Sequence, residues 1–297
     1  MSQSLPINQA AEGVWWSMPD LSTDRPMMGA VAGADATLLV DAGASPAHAS
    51  GFLQALHGHG LPPVRYVVYT HWHWDHVWGG SELAARYRPT FIASEPTRDK
   101  IRAQARLRWD DASLEQRRRQ GDETAASFDD MKRELPSRDD LVIVPPTVSF
   151  RDQLEIDLGG VTCRVEHVGG DHASDSTIVH VRERKVLFMG DAIYTSFYAV
   201  GKHYTRQTIF QLLDRMLAFE AETFLLGHTP FPLGRPHAQA LQEVLRRVAS
   251  FTLDDKLPDQ EIVQRVMQAE LGFPLWPEFV GELVDAFKQG APQEARA

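Results

Sequence analysis

The sequence predicts an α/β protein in which two β-sheets are each covered by helices. Three observations predict it. Short apolar runs rich in β-branched and aromatic residues recur on both sides of a long charged middle, and stretches of helical spacing separate them. A dense histidine cluster, "THWHWDHVWGG" at 70–80, follows directly on one of those runs. Functional loops of α/β proteins gather at strand ends.

Residues 27–44 read as a hairpin that turns at Gly33-Ala34-Asp35, its second strand "ATLLVDAG" closing on a glycine. Residues 46–60 have helical spacing, with Phe52, Leu53 and Leu56 on one face. "VRYVVYT" (64–70) is a buried strand, and "TFIAS" (90–94) another. From Glu95 to Asp140 the chain is charged and nearly free of glycine. Two helices, 96–119 and 122–135, are predicted there as an inserted hairpin, because Ile101, Leu107, Trp109, Leu114, Phe128, Met131 and Leu135 supply apolar faces. Strands are predicted at 141–150, 153–160, 161–169, 176–183 and 185–191, with Gly159-Gly160 as a hairpin turn. A helix at 207–219, a strand at 223–228 and three helices near 236–251, 259–271 and 277–288 finish the chain.

Composition narrows the function. With 43% hydrophobic and 24% charged residues the chain can bury an ordinary soluble core. A net charge of −10 repels phosphate backbones, so no nucleic-acid partner is expected; the basic run "EQRRRQ" at 115–120 is flanked by acids and reads as a solvated helix face. Cys163 is the single cysteine, so no internal disulfide forms. With no signal-like start and no stretch of 18 apolar residues, the expectation is a cytoplasmic enzyme without a membrane partner.

Three of the 12 histidines, His71, His73 and His76, fall within six positions, together with Asp75. Imidazole and carboxylate are the ligands of water-activating zinc and iron sites. His71 and His73 can turn to one side of a strand-end loop, and Asp75 and His76 can face a second ion, so the cluster supplies ligands for two metals. More ligands are needed, and three further strand ends offer them: His172 in "GGDHASDS", Asp191 ending "KVLFMGD" and His228 ending "TFLLGH". Taken singly, His172 is a loop histidine, Asp191 a helix cap and His228 a turn residue. Their recurrence at successive strand ends, after a dense cluster, favours a site. Of the other histidines, His48, His57 and His59 read as surface residues, His167 as a lesser ligand candidate, and His180 and His237 as structural; His203 is left open.

The pattern His71-x-His73-x-Asp75-His76, followed by His172, Asp191 and His228, resembles the metallo-β-lactamase superfamily. The resemblance covers roughly residues 13–235, and the helical insert accounts for the long gap between His76 and His172. It implies an αββα sandwich of two mixed sheets flanked by helices, read as one domain over 1–297. The insert at 95–140 and a helical extension at 236–297 would roof the cleft or make homodimer contacts, with Trp276, Phe279 and Phe287 as candidates. By position, His71, His73 and His172 would hold one ion, Asp75, His76 and His228 the other, and Asp191 would bridge. Zinc is the expected ion; iron and manganese suit the same donors.

The chemistry expected of such a centre is hydrolysis: a metal-bridging hydroxide attacks a substrate carbonyl. Asp75 is the nearest group for proton handling. Tyr194, three residues after Asp191, stands where lactonases of the superfamily carry a tyrosine aimed at the carbonyl; packing is its alternative role, and Tyr198 and Tyr204 share its loop. Trp72, Trp74 and Trp78 are expected to buttress the ligands rather than wall the cleft. Many β-lactamases have Cys or Ser at the bridging position, so Asp191 resembles instead lactonases, glyoxalase II-type thioesterases and related esterases. The expected substrate is an ester or lactone. A thioester, weak β-lactam turnover, or a non-catalytic member that binds a partner are the alternatives. The loop "DHASDSTIVHV" departs from the commoner "PGHTPG" form, with Asp175 either orienting His172 or stabilising a turn.

Overall fold

The computed structural model describes residues 5–122, 127–196, 201–269 and 271–294. The first sheet has seven strands in sequence order: β1 (Ile7–Ala11), β2 (Val14–Ser17), β3 (Gly29–Ala32), β4 (Thr37–Val40), β5 (Val64–Val68), β6 (Thr90–Ser94) and β7 (Val148–Phe150). Pairing is antiparallel from β1 to β4 and parallel from β4 to β7. The parallel half needs crossovers, which α1 (Pro46–Leu56) provides from β4 to β5, α2 (Trp74–Val77) and α3 (Gly80–Tyr87) from β5 to β6, and the helical insert from β6 to β7.

The insert follows β6 as α4 (Glu95–Gln104), α5 (Asp111–Arg119) and α6 (Phe128–Glu134). The second sheet is β8 (Gln153–Asp157), β9 (Thr162–His167), β10 (Thr177–Val181), β11 (Val186–Gly190), β12 (Thr223–Leu226) and β13 (Leu233–Gly234), in the order β13-β12-β11-β10-β9-β8. It too is mixed: β11 and β12 are parallel and the other pairs antiparallel. Helix α7 (Arg206–Ala218) makes the β11–β12 crossover, and α8 (Arg235–Ala249), α9 (Asp259–Gln268) and α10 (Pro277–Glu294) follow β13.

The predicted αββα sandwich is the observed architecture. Between the sheets, Val31, Leu38, Val40 and Val68 of the first meet Val165, Val179, Val181 and Phe188 of the second. Gly29 lets them close: a Cβ there would stand 2.3 Å from the Phe188 ring. Outside the first sheet, Phe52, Leu53, Leu83, Ile101 and Leu114 bury α1, α3 and the insert; outside the second, Leu212, Leu213, Val244, Leu245 and Phe287 bury α7, α8 and α10. No helix among the described residues is long and apolar enough to cross a membrane.

The structure departs from the predicted elements at four places. The helix predicted over 96–119 is broken between α4 and α5, because Asp110 caps α5 by accepting from Ser113 N (3.0 Å) while the Trp109 indole donates back to Gln104 O (3.2 Å). Of the helix predicted over 122–135, 128–134 are helical, and 123–126 lie outside the described residues. The strand predicted over 141–150 shortens to β7, since Pro145 and Pro146 have no N–H to give a ladder. Strands β1 and β2, which extend the first sheet beyond the predicted hairpin, turn at Gly13, whose φ of +71° few other residues adopt. The basic run 115–120 pairs internally: Arg118 and Arg119 with Glu115, while Arg117 lies over the Trp109 ring.

Candidate metal centre

Four strand ends deliver the predicted ligands to one edge of the sandwich. Residues 69–77 leave β5 and turn into α2, carrying His71, His73, Asp75 and His76; His172 follows β9, Asp191 follows β11 and His228 follows β12. The tight exit from β11 uses Gly190 at φ +50°, where a Cβ would strike Thr70 at 2.8 Å. Beside it, Gly227 leaves room for Asp191: a Cβ at 227 would lie 2.0 Å from Asp191 Oδ1.

All seven predicted ligands converge, in two groups. His71, His73 and His172 form one, and Asp75, His76, Asp191 and His228 the other, with the donor atoms of each group within 4.8 Å of one another. In the first, His73 Nδ1 and His172 Nε2 face each other at 3.0 Å. In the second, Asp75 Oδ2 lies 3.1 Å from His76 Nε2 and 3.2 Å from His228 Nε2. Asp191 Oδ2 reaches both groups: it is 3.2 Å from His172 Nε2 and 3.9 Å from His71 Nε2, and 3.4 and 3.3 Å from His76 Nε2 and His228 Nε2.

Outward partners fix which ring nitrogens face the centre. His172 Nδ1 donates to the Thr195 carbonyl at 3.0 Å, which leaves the Nε2 lone pair inward. His76 Nδ1 donates to Asp41 Oδ2 at 2.7 Å. Thr70 Oγ1 gives its one proton to the same Asp41 oxygen at 2.9 Å, so its contact with His71 Nδ1 (3.0 Å) must be accepted from the ring. His71 Nε2 is then a buried acceptor with no hydrogen-bond partner, which is a costly state for a protein atom and a natural one for a metal ligand.

Charge separates the two groups. Burial, reinforced by the neighbouring imidazoles, holds His71 and His73 well below the usual histidine range, so both are neutral as ligation requires. Burial likewise opposes a charge on His228, but Asp191 and Asp75 override it and push the ring up to about 10. His76 is raised in the same way by Asp75, Asp191 and Asp41 against its burial. Burial works against charge on Asp75 and Asp191 as well, yet His76 and His228 hold both carboxyls below the ordinary carboxylate range. A set of buried imidazoles around buried carboxylates, held cationic on one side only by protons, fits divalent ions that would replace those protons.

Sequence reasoning missed Asp41. It ends the apolar strand β4, is buried, adopts a left-handed φ of +63°, and accepts from Thr70 N at 2.7 Å besides its contacts to Thr70 Oγ1 and His76. The signal that picked out Asp191, a carboxylate closing an apolar strand, was present there too. Asp175 does not touch His172: its carboxylate accepts from Trp72 N (3.1 Å) and Lys100 Nζ (2.9 Å), pinning the metal loop to α4. His48 is fully buried rather than a surface residue, because its Nδ1 accepts from Ala44 N (3.2 Å) in the turn behind Asp41; His57 and His59 are exposed. His167 stays outside both groups and contacts Ser174 O at 3.1 Å, and His203 is buried against Ser196 Oγ at 2.7 Å. Buried His180 packs on the Phe219 ring.

A cavity of about 740 Å³ opens over the centre. Tyr194 stands on its wall; its hydroxyl contacts Thr229 Oγ1 at 2.8 Å and accepts from His228 N at 3.2 Å. Burial, then the nearby Asp191 charge, raises its hydroxyl well above the usual phenol range, so it keeps its proton. Tyr204 lines the same cavity but donates to Ile193 O at 2.9 Å, and Tyr198 lies outside the described residues. Trp72, Trp74 and Trp78 are buried, in edge contact with His73, with each other and with Trp109, and none of them lines the cavity.

Comparison with known proteins agrees with this geometry. No curated protein sequence matches the chain. Among solved structures, a metallo-beta-lactamase from Pontibacter korlensis is similar with a TM-score of 0.56 at 17% identity, over 82% of this chain and 99% of that one. An archaeal metallo-beta-lactamase superfamily protein from Sulfolobus tokodaii gives 0.56 at 17% identity, over 88% and 97%. A stereoselective inverting sec-alkylsulfatase from Pseudomonas sp. gives 0.63 at 12% identity, over 96% of this chain but 50% of that one. These identities speak for the fold alone. The family model of the metallo-beta-lactamase superfamily matches residues 27–228, a span that contains all seven residues of the two groups, and the chain therefore belongs to that superfamily.

Proposed function

We propose that the chain is a dinuclear metal-dependent hydrolase acting on the carbonyl of an ester or lactone. The observation that carries the reading is the position of Asp191 Oδ2, within 3.2–3.9 Å of ring nitrogens from both ligand groups. His71, His73 and His172 would hold one ion, Asp75, His76 and His228 the other, with Asp191 shared. Divalent ions bound there, zinc in the first instance, would supply a water acidified toward neutral pH and a Lewis acid for the carbonyl oxygen.

The chain's own groups do the rest. Asp75, which lines the cavity, accepts the proton that the attacking water gives up and hands it to the leaving group. Tyr194, protonated and anchored by Thr229 and His228 N, swings its O–H toward the oxygen that becomes negative. The packed tryptophans and Asp41 hold the imidazoles in place, so little reorganisation accompanies reaction. The cavity wall also carries Glu282 and Asp285 against one Lys202, with the Asp24 carboxyl pushed up to about 7 by burial, so the chain itself offers an anionic substrate such as a sulfate ester little positive charge. The test is turnover by the metal-loaded protein of a panel of uncharged esters, lactones, thioesters, a cephalosporin and a secondary alkyl sulfate. Ester or lactone hydrolysis abolished by chelation is expected; no turnover of either with two ions bound overturns the reading and leaves a partner-binding role.

A further inference from the structure

The metal cleft has an apolar annex. A second cavity, of about 250 Å³, adjoins it and shares Tyr194, Tyr204, His228, Thr229, Phe279 and Leu283 with its wall. Its remaining lining comes from β12, the 230–233 loop, α8 and the segment that leads into α10, with Leu241, Leu245, Phe273 and Trp276 as the principal side chains. Among the described residues that line it there is no Asp, Glu, Lys or Arg. The helical extension after residue 235 thus helps to build an apolar pocket that meets the cleft at Tyr194, His228 and Thr229, beside the candidate metal centre.

We propose that this annex receives the apolar acyl group of the substrate, so that the C-terminal helices set the chain-length preference of the enzyme. The proposal rests on the hydrolase reading above and names its substrate class: an uncharged acyl ester or lactone with a medium-length aliphatic or small aromatic tail. Three features support it. The pocket shares Tyr194, His228 and Thr229 with the wall of the cleft that holds the candidate ligands, so it lies within reach of the tail of a substrate bound there. At about 30 Å³ for each water-sized group, 250 Å³ takes roughly eight methylenes. Glu282 and Asp285 against the single Lys202 leave the chain's own charge on the cleft wall negative, so a neutral tail is preferred to one that ends in a carboxylate.

The experiment is a series of p-nitrophenyl esters, from acetyl to dodecanoyl, assayed with the metal-loaded protein. kcat/KM should rise about 4-fold per methylene until the pocket is full at roughly eight groups, then level off. An ester of equal length ending in a carboxylate should be slower by at least about 10-fold. Leu241→Trp fills the pocket and should lower the octanoyl-to-acetyl ratio of kcat/KM at least about 10-fold. Trp276→Ala, at an exposed position on the rim, should lower the same ratio without threatening the fold. A flat chain-length profile, or a ratio indifferent to both substitutions, overturns the proposal. Binding of octanamide relative to acetamide, followed by calorimetry, separates the two readings. If no ester or lactone turns over but octanamide binds selectively and Leu241→Trp abolishes that binding, the pocket stands and the hydrolase reading falls. If octanamide binds no better than acetamide, the pocket falls.

Discussion

The two halves of the candidate metal centre are built alike and charged differently. Each joins histidines from the loop after β5, in the first sheet, to one that follows a strand of the second sheet, β9 or β12. In the His71–His73–His172 half the outward partners are a threonine hydroxyl and a backbone carbonyl, and burial keeps His71 and His73 neutral. In the Asp75–His76–His228 half the partners are carboxylates, and in the metal-free protein both rings hold protons, His228 up to about 10. The difference teaches that one half is a ready set of lone pairs, whereas the other is an ion-pair cluster in which protons stand where a cation would.

The largest effect should come from the group the halves share. Asp191→Ala removes the carboxylate common to both, and the affinity for each ion should fall by at least about 100-fold, with activity lost alongside; elemental analysis after dialysis reads it. Retention of two ions would break the symmetry assumed for Asp191. Next is Tyr194→Phe, which takes a donor from the cavity wall and no ligand from either half. About a 100-fold loss in kcat with metal content unchanged is expected, and a kcat within a fewfold of the parent would return Tyr194 to a packing role. Asp41→Asn acts directly on His76 and only through Thr70 on His71. It should weaken the second half by about 10- to 100-fold and the first half by less, which competitive chelator titration can resolve.

The smallest predicted effect on metal binding and turnover lies behind the centre, where the readout is stability. Burial pushes His48 down to about 3, against an ordinary value of 6.5, while it supports the turn after Asp41. Its unfolded form therefore binds a proton that the folded form refuses. Stability on this account is complete above pH 6.5 and declines as pH falls toward 3, by about 1.4 kcal/mol per pH unit at most. Denaturant unfolding of His48→Gln should show a flatter acid limb than the parent; identical limbs would mean that other groups govern acid unfolding.

How much of this could be read in the sequence follows from the range of each interaction. His71, His73, Asp75 and His76 share one loop, Asp191 and His228 follow apolar strands, and His172 lies in a glycine-rich loop after a strand, so local pattern was enough to pick them out as candidates. Asp41 closes such a strand too, but its partners Thr70 and His76 lie 29 and 35 positions away, and nothing local announces that pairing. The same holds for Asp175, whose reach to Trp72 and Lys100 spans 103 and 75 positions. His48 had helical surroundings and a polar ring, and only the tertiary turn at Ala44 explains its burial. The sandwich was legible because its strands are apolar and bounded by glycine or charge. The break between α4 and α5 was not, since Asp110 reads as one more acid in a charged helix until its cap to Ser113 is seen.

The account turns on two unlike halves joined by Asp191, and calorimetric titration of the metal-free protein with Co²⁺ in buffers of different ionisation enthalpy tests that most directly. Two ions per chain should bind in distinguishable steps near neutral pH. The step that fills the Asp75–His76–His228 half should release at least one proton more than the other. A single equivalent of metal, or two steps with the same proton release, would contradict it.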